Sequence, residues 1–272
     1  MKAGICTIAL KDRPIDEAIE TCARAGAGGV EIWGRPDHAP RHGDRAGYAR
    51  IRRLLHDAGI EAVAFGSYYR PDGTASTGVR AVADDPGSPD YVLEAVTELR
   101  CPVVRIWVGT RGFDETEAAE RESIYDEIQV FAERAHAAGC TVVLERHNGT
   151  LTDTWTSASR VMDDIGHGNV FLCYQVPYPA AAEELRSRVA ADAAQLLPLS
   201  AHAHLQNYAD RPEGRLPRTL LGDGIVDYAS FGTHARRAHF GGWSMVEFVA
   251  DVRGSMSEDE ALAADVAFIA SL

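Results

Sequence analysis

The 272-residue chain is short of several things, and each shortage narrows what it can be. Its five cysteines (Cys6, Cys22, Cys101, Cys140 and Cys173) are odd in number, scattered and never in a C-x-x-C pair. That excludes a disulfide framework and fits reduced, mostly buried thiols in a cytoplasmic protein. Positive charge is scarce too: 27 basic against 40 acidic residues leave a formal net charge of −13. Such a surface repels a phosphodiester backbone, so no nucleic-acid partner is expected. No apolar run is long enough to cross a bilayer, and MKAGICTIALKDRP meets charge and proline before any signal-peptide core develops. A soluble chain with no membrane partner is expected. There is no G-x-G-x-x-G; the first apolar run is followed by Leu10-Lys11-Asp12-Arg13-Pro14. This argues against an open dinucleotide-binding sheet, and the lack of a phosphate-gripping loop favours an unphosphorylated small-molecule substrate. Internal repeats, low-complexity tracts and long linkers are all missing, which predicts one domain over 1–272.

What is present alternates. Short β-branched or apolar runs at 3–9, 29–33, 61–66, 102–108, 141–147, 169–175, 200–206 and 243–248 read as strands. Amphipathic stretches at 14–25, 47–58, 89–99, 117–138, 153–165, 180–195, 226–237 and 257–271 read as the helices between them. Several end in glycine (Gly26, Gly59, Gly139), which suits a left-handed helix cap. Eight such units in strict alternation predict an α/β protein, a (β/α)8 TIM barrel. The polar segments 70–88 and 207–224 read as loops over the barrel mouth, where barrel enzymes place substrate contacts. The apolar face of the last helix (Leu262, Val266, Phe268, Ile269 and Leu272) is expected to close the barrel.

Three strand ends carry residues suited to chemistry. In TVVLERH, Glu145 and His147 are two apart and share a face if the strand continues that far. In AHAHLQN, His202, His204 and Gln206 lie on one face, with His204 better placed to reach the mouth. In WSMVEFV, Glu247 is a carboxylate among apolar residues, costly to bury unless paired or bound to metal. Glu145, His204 and Glu247 form a nitrogen–oxygen ligand set suited to Mn2+, Mg2+, Zn2+ or Co2+. Trp33, Trp107 and Trp243 stand near strand ends and could wall a sugar pocket, with core packing the competing reading for each. Cys6 and Cys173 read as small buried hydrophobes.

These segments, from CTIAL and GVEIWG through VLERHNGTLTDT, AHAHLQN and GDGIVDY to WSMVEF, resemble the xylose-isomerase-like TIM barrels. That group contains sugar-phosphate isomerases, epimerases and related lyases, together with endonuclease IV, and the wording is most similar to its 3-dehydroshikimate dehydratases. The resemblance implies four metal ligands, from the ends of strands five to eight. Three positions match Glu145, His204 and Glu247, but the strand-six acid is replaced by Gln175. A glutamine can coordinate through its amide oxygen, neutrally and more weakly. This leaves open a metal held with a different ligand, a weakened site, or a barrel without metal catalysis. The dehydratase resemblance further implies a catalytic role for His147 and substrate contacts from Arg105 and Tyr69. It also implies a lysine two positions after the strand-seven histidine, where this chain has Gln206.

The expectation is therefore a metal-dependent isomerase or epimerase of a small polyhydroxy carbonyl compound, working through an enediolate. Glu145 and Glu247 are the expected proton-transfer pair, with His147 assisting. Arg105, Tyr69, Trp33, Trp107 and Gln206 are the expected substrate contacts. The alternatives are a dehydratase of the 3-dehydroshikimate type and a non-catalytic binding barrel with a degenerate metal site. The resemblance leaves monomer and homodimer equally open.

Overall fold

The computed structural model describes residues 1–73, 86–176, 182–210, 216–251 and 256–272. Eight parallel strands close into a barrel: β1 (Lys2–Cys6), β2 (Gly29–Trp33), β3 (Glu61–Gly66), β4 (Val103–Ile106), β5 (Thr141–Glu145), β6 (Val170–Gln175), β7 (Ser200–Leu205) and, after a small hairpin, β10 (Trp243–Val246). The hairpin, β8 (Asn207–Tyr208) with β9 (Arg218–Thr219), is antiparallel and rises from the loop after β7. The helices are α1 (Ile15–Arg24), α2 (Arg45–Ala58), α3 (Pro89–Leu99), α4 (Ala118–Ala137), α5 (Trp155–Ile165), α6 (Ala182–Leu196), α7 (Tyr228–Arg237) and α8 (Glu258–Ser271). The expected (β/α)8 barrel is what forms. Of the two expected loops over the mouth, 74–85 and 211–215 lie outside the described residues.

The physical reasons are local as well as global. Ser257 and Glu260 cap the start of α8 reciprocally, satisfying backbone donors that the first turn cannot pair internally. Gly59 ends α2 in the left-handed conformation (φ 71°), which costs a residue without Cβ least. The main core lies between the strands and the helix ring, and α8 adds Leu262, Val266 and Ile269 to it, closing the barrel as expected. Asp265 on the same helix is buried and accepts the Leu221 N–H at 2.7 Å. Burial pushes its carboxyl up to about 7.

Several strands stop earlier than the apolar runs suggest. β1 gives way to a 3-10 turn over Thr7–Leu10, β4 ends at Ile106, β5 at Glu145 and β10 at Val246. A run of apolar residues continues equally well into a buried loop, so hydrophobicity alone overestimates strand length. The register that matters is set lower down: Glu145 pairs with Cys173, Gln175 with His204, and Met245 with His204. Two irregularities re-aim side chains. Glu31 pairs with Ala64 while Val30 pairs with Ala62, and Cys173 pairs with His202 while Leu172 pairs with Ser200.

Candidate active site and metal centre

The C-terminal ends of the strands bring together a buried polar cluster lining a cavity of about 140 Å³. It contains Glu31, Arg105, Glu145, His204 and Glu247, each less than a tenth exposed. One oxygen of each carboxylate and one nitrogen of His204 in the set Glu145–His204–Glu247 lie within 4.8 Å of one another. The three residues singled out as ligands thus converge.

Hydrogen bonds hold the cluster in place. Arg105 Nη1 donates to Glu145 Oε2 at 2.6 Å, and Arg105 Nε reaches Glu31 Oε1 at 3.4 Å. Glu31 Oε2 lies 2.8 Å from both His202 Nε2 and His204 Nε2. Gln175 Nε2 donates to Glu247 Oε2 at 3.1 Å, and His204 Nδ1 faces Glu247 Oε1 at 3.7 Å. Gly66 makes room for this arrangement: a Cβ there would come within 2.4 Å of Glu31 Oε1 and 2.8 Å of Arg105 Nη2. Any larger residue would push the ion pair apart.

The electrostatics follow from burial and charge. Burial works to raise the Glu31 carboxyl, but the His204 charge, hydrogen bonds from His202 and His204, and Arg105 outweigh it and hold it well below the usual range. Burial opposes the His204 imidazolium, yet the Glu31 carboxylate beside it favours it, and its pKa lies well above the ordinary value. His202 is pushed the other way, because burial dominates over its bond to Glu31. Burial raises the Cys6 and Cys173 thiols, consistent with inert hydrophobes.

The donor set fits a divalent cation. Three buried carboxylates (Glu31, Glu145 and Glu247) outnumber the two cationic groups among them, the Arg105 guanidinium and the His204 imidazolium, an excess of buried negative charge that a cation taking the place of the His204 proton would offset. Buried polar atoms are normally hydrogen-bonded, yet Gln175 Oε1, His204 Nδ1 and Trp107 Nε1 have no hydrogen-bond partner among the described residues. With its Nε2 committed to Glu247, Gln175 has its amide oxygen left over, the atom a cation would take. Glu145, Gln175, His204 and Glu247 are therefore the residues that would hold the metal.

The remaining candidates are placed unequally. Trp33 and Trp107 line the same cavity, whereas Trp243 packs near its base against Cys6, Val63 and Met245. His147 lies beyond the end of β5, so the alternation argument does not reach it. It lines the cavity all the same, its ring 4.5 Å from that of Trp107 and its Nδ1 2.8 Å from Asn148 O. Gln206 lines an adjoining cavity of about 260 Å³. Tyr69 needs correcting. Its side chain turns into the helix layer, the ring 4.6 Å from Phe131, and lines neither cavity. Tyr68 takes its place, its hydroxyl accepting from Trp33 Nε1 at 2.8 Å beneath the Arg35 guanidinium. β3 ends at Gly66, and beyond it the chain no longer alternates as a strand, so the resemblance carried the contact onto the neighbouring tyrosine.

Glu31 is the residue that sequence reasoning missed. Its signal was present in GVEIW, a carboxylate inside an apolar strand, the same feature that marked Glu247.

Residues 19–272 match the model of the xylose isomerase-like TIM barrel family. The chain belongs to this family. No relative is found among curated proteins. Among solved structures it is similar to a probable 3-DHS dehydratase involved in petrobactin synthesis from Bacillus anthracis, with TM-score 0.75 and 19% identity over 99% of both chains. It is also similar to a 3-keto-D-glucoside 4-epimerase from E. coli, with TM-score 0.70 and 17% identity over the whole of both chains. A third is a xylose isomerase-like TIM barrel protein from Mycobacterium smegmatis in complex with magnesium, with TM-score 0.71 and 17% identity over 96% of this chain and 89% of that one. At such identities the likeness shows the shared barrel. No described helix is long and apolar enough to cross a membrane.

Proposed function

We propose that this chain is a divalent-metal-dependent isomerase or epimerase of a small polyhydroxy carbonyl compound. The observation that carries the reading is the convergence of Glu145, His204 and Glu247 within 4.8 Å, beside the unpartnered Gln175 Oε1. When bound, the cation supplies Lewis acidity, polarising neighbouring substrate oxygens so that a C–H proton becomes acidic.

The protein residues divide the rest of the work. Glu145 has one oxygen held by Arg105 and the other free to face the cavity, while Glu247 is held by the Gln175 amide. The two carboxylates come from different strands, so one can take the proton from carbon and the other return it, through an enediolate. Arg105 has the charge and burial to stabilise a developing oxyanion, and Trp107 Nε1 is a free donor at the wall. Trp33, Tyr68 and Trp107 offer apolar faces for the C–H side of a sugar and exclude water. The test is exchange of substrate α-protons with deuterated water, followed by NMR over a panel of ketoses and aldoses. Exchange should require added Mn2+, Mg2+, Zn2+ or Co2+; full exchange by chelator-stripped protein would show the reading to be wrong.

A second reading, dehydration of a 3-dehydroshikimate-type acid, is favoured by His147 lining the cavity with Arg105. It shares the proton abstraction and adds loss of a β-hydroxyl. Formation of protocatechuate from 3-dehydroshikimate, read by ultraviolet absorbance, decides it, and metal-loaded protein that forms none excludes it.

A further inference from the structure

The second cavity, of about 260 Å³, shares His147, Glu247 and Phe248 with the cavity of the metal ligands, so one small molecule can occupy both. Its lining differs in kind. Where the inner cavity is dominated by carboxylates, this one presents Arg146 and Arg218, with the amides of Gln175 and Gln206.

The two arginines are not equivalent. Arg146 is buried, and its Nη2 lies 3.8 Å from Asp192 Oδ2, so its charge is offset. Arg218 has no acidic partner among the described residues, yet it is held in position. Gln206 Oε1 accepts from its Nε at 3.2 Å, and its guanidinium lies 3.9 Å from the centre of the Phe248 ring. Gln206 is itself clamped: the Tyr228 hydroxyl accepts its backbone N–H at 3.0 Å and donates to its carbonyl at 2.7 Å. β9 fixes the other end, with Arg218 paired to Tyr208 and its carbonyl accepting from Asp251 N. Three segments thus pre-organise one cation, leaving both Nη groups uncommitted among the described residues at the cavity wall. Holding a long side chain this way removes the rotamer entropy that a flexible arginine would lose on binding.

We infer that Arg218 is an anion subsite, and that the substrate is a polyhydroxy acid whose carboxylate it binds while the hydroxylated end reaches Glu145, His204 and Glu247. A guanidinium with two free donors matches a carboxylate in a planar, bidentate fashion. A single positive charge without an acidic partner among the described residues, in a cavity that Glu247 also lines, suits a monoanion better than a phosphate of charge about −1.5 to −2. Gln206 stands where the resemblance places a lysine, and here it orients an arginine from the hairpin instead. This inference rests on the isomerase reading for the reacting end of the substrate, but not for the carboxylate grip.

The experiment is calorimetric titration of the full chain with three probes of the same carbon skeleton: D-glucitol, D-gluconate and D-glucitol 6-phosphate. Each is measured with and without Mn2+, whose own uptake is measured first. Wild-type protein should prefer D-gluconate over D-glucitol by ~10-fold or more, the discrimination expected of one charge-assisted bidentate contact. Arg218→Ala should lose that preference, and Arg218→Lys should recover only part of it. Equal binding of D-gluconate and D-glucitol, or a preference that survives Arg218→Ala, overturns the subsite. A wild-type preference for D-glucitol 6-phosphate overturns the carboxylate assignment. Normal Mn2+ uptake without carboxylate preference sinks the subsite alone, whereas a chain that takes up none of Mn2+, Mg2+, Zn2+ and Co2+ sinks the isomerase reading, and the metal-free titrations still decide the subsite.

Discussion

The two ends of the barrel differ in a way that size would misjudge. A cavity of about 690 Å³, larger than either cavity at the mouth, is an open groove at the N-terminal end, lined by Arg52, Arg53, His56 and Arg100 over Leu55, Ile60 and Leu99. The cavity at the C-terminal mouth is only about 140 Å³, yet it holds the buried carboxylates, His204 and Arg105. Of the groove's basic residues, Arg100 caps the C-terminal end of α3, where the helix dipole favours positive charge, and Arg52 is answered by Glu98. At the mouth, Gln175 Oε1, His204 Nδ1 and Trp107 Nε1 are buried together without partners among the described residues, a cost that a bound cation or substrate would offset. The contrast teaches that function is marked by unsatisfied, converging polar groups, not by open volume. It also matches the division of labour in such barrels, with chemistry at one end and stability at the other.

Substitutions sharpen the contrast. Glu247→Gln removes a ligand and a proton acceptor together, and solvent-proton exchange should fall ~1000-fold, within the range for loss of an acid–base group. Glu31→Ala leaves His202 and His204 without their carboxylate and Arg105 with Glu145 alone, and chemical denaturation should show a loss of about 3 kcal/mol or more. The milder Glu31→Gln should leave the fold intact and weaken Mn2+ binding ~10-fold, the effect of losing an outer partner that orients a ligand. Gln175→Asp restores the acid that the family resemblance leads one to expect. Titration should show Mn2+ bound ~10-fold more tightly, through added ligand charge, while the metal-free protein melts lower because the introduced carboxylate would face Glu247.

The smallest effect is expected at the opposite end. Arg100 caps α3 with φ 58°, a conformation that α2 and α5 assign to Gly59 and Gly166. Arg100→Gly should stabilise the fold by about 0.5 to 1 kcal/mol by relieving Cβ strain, in excess of the entropy a glycine adds. Mn2+ affinity and proton exchange should not change. A marked change in either would break the separation between the two ends.

How much was legible differs between backbone and site. Alternating apolar and amphipathic segments specify eight βα units because period 2 and period 3.6 patterns are local, and the caps at Gly59 and Ser257 are local as well. Glu145, His204 and Glu247 stood out because each is a ligand type at the end of an apolar strand, and Gln175 because it departs from the family pattern. His147 reached the cavity for a reason other than the one offered, since β5 ends two residues before it. Tyr69 was displaced by Tyr68 because loop geometry after Gly66 has no period to read.

The sequence by itself determined the barrel, the order of its strands and three of the groups at its mouth, because these depend on residue type and short-range spacing. Only the tertiary structure decided that Glu31 joins two histidines to Arg105, that Gln175 has an amide oxygen to spare, and that Arg218 is held by Gln206 and Phe248. Those relations join residues as far apart in sequence as Glu31 and His204. They exist only because closing the barrel brings distant strand ends within hydrogen-bonding reach, where burial makes each unpaired polar atom costly.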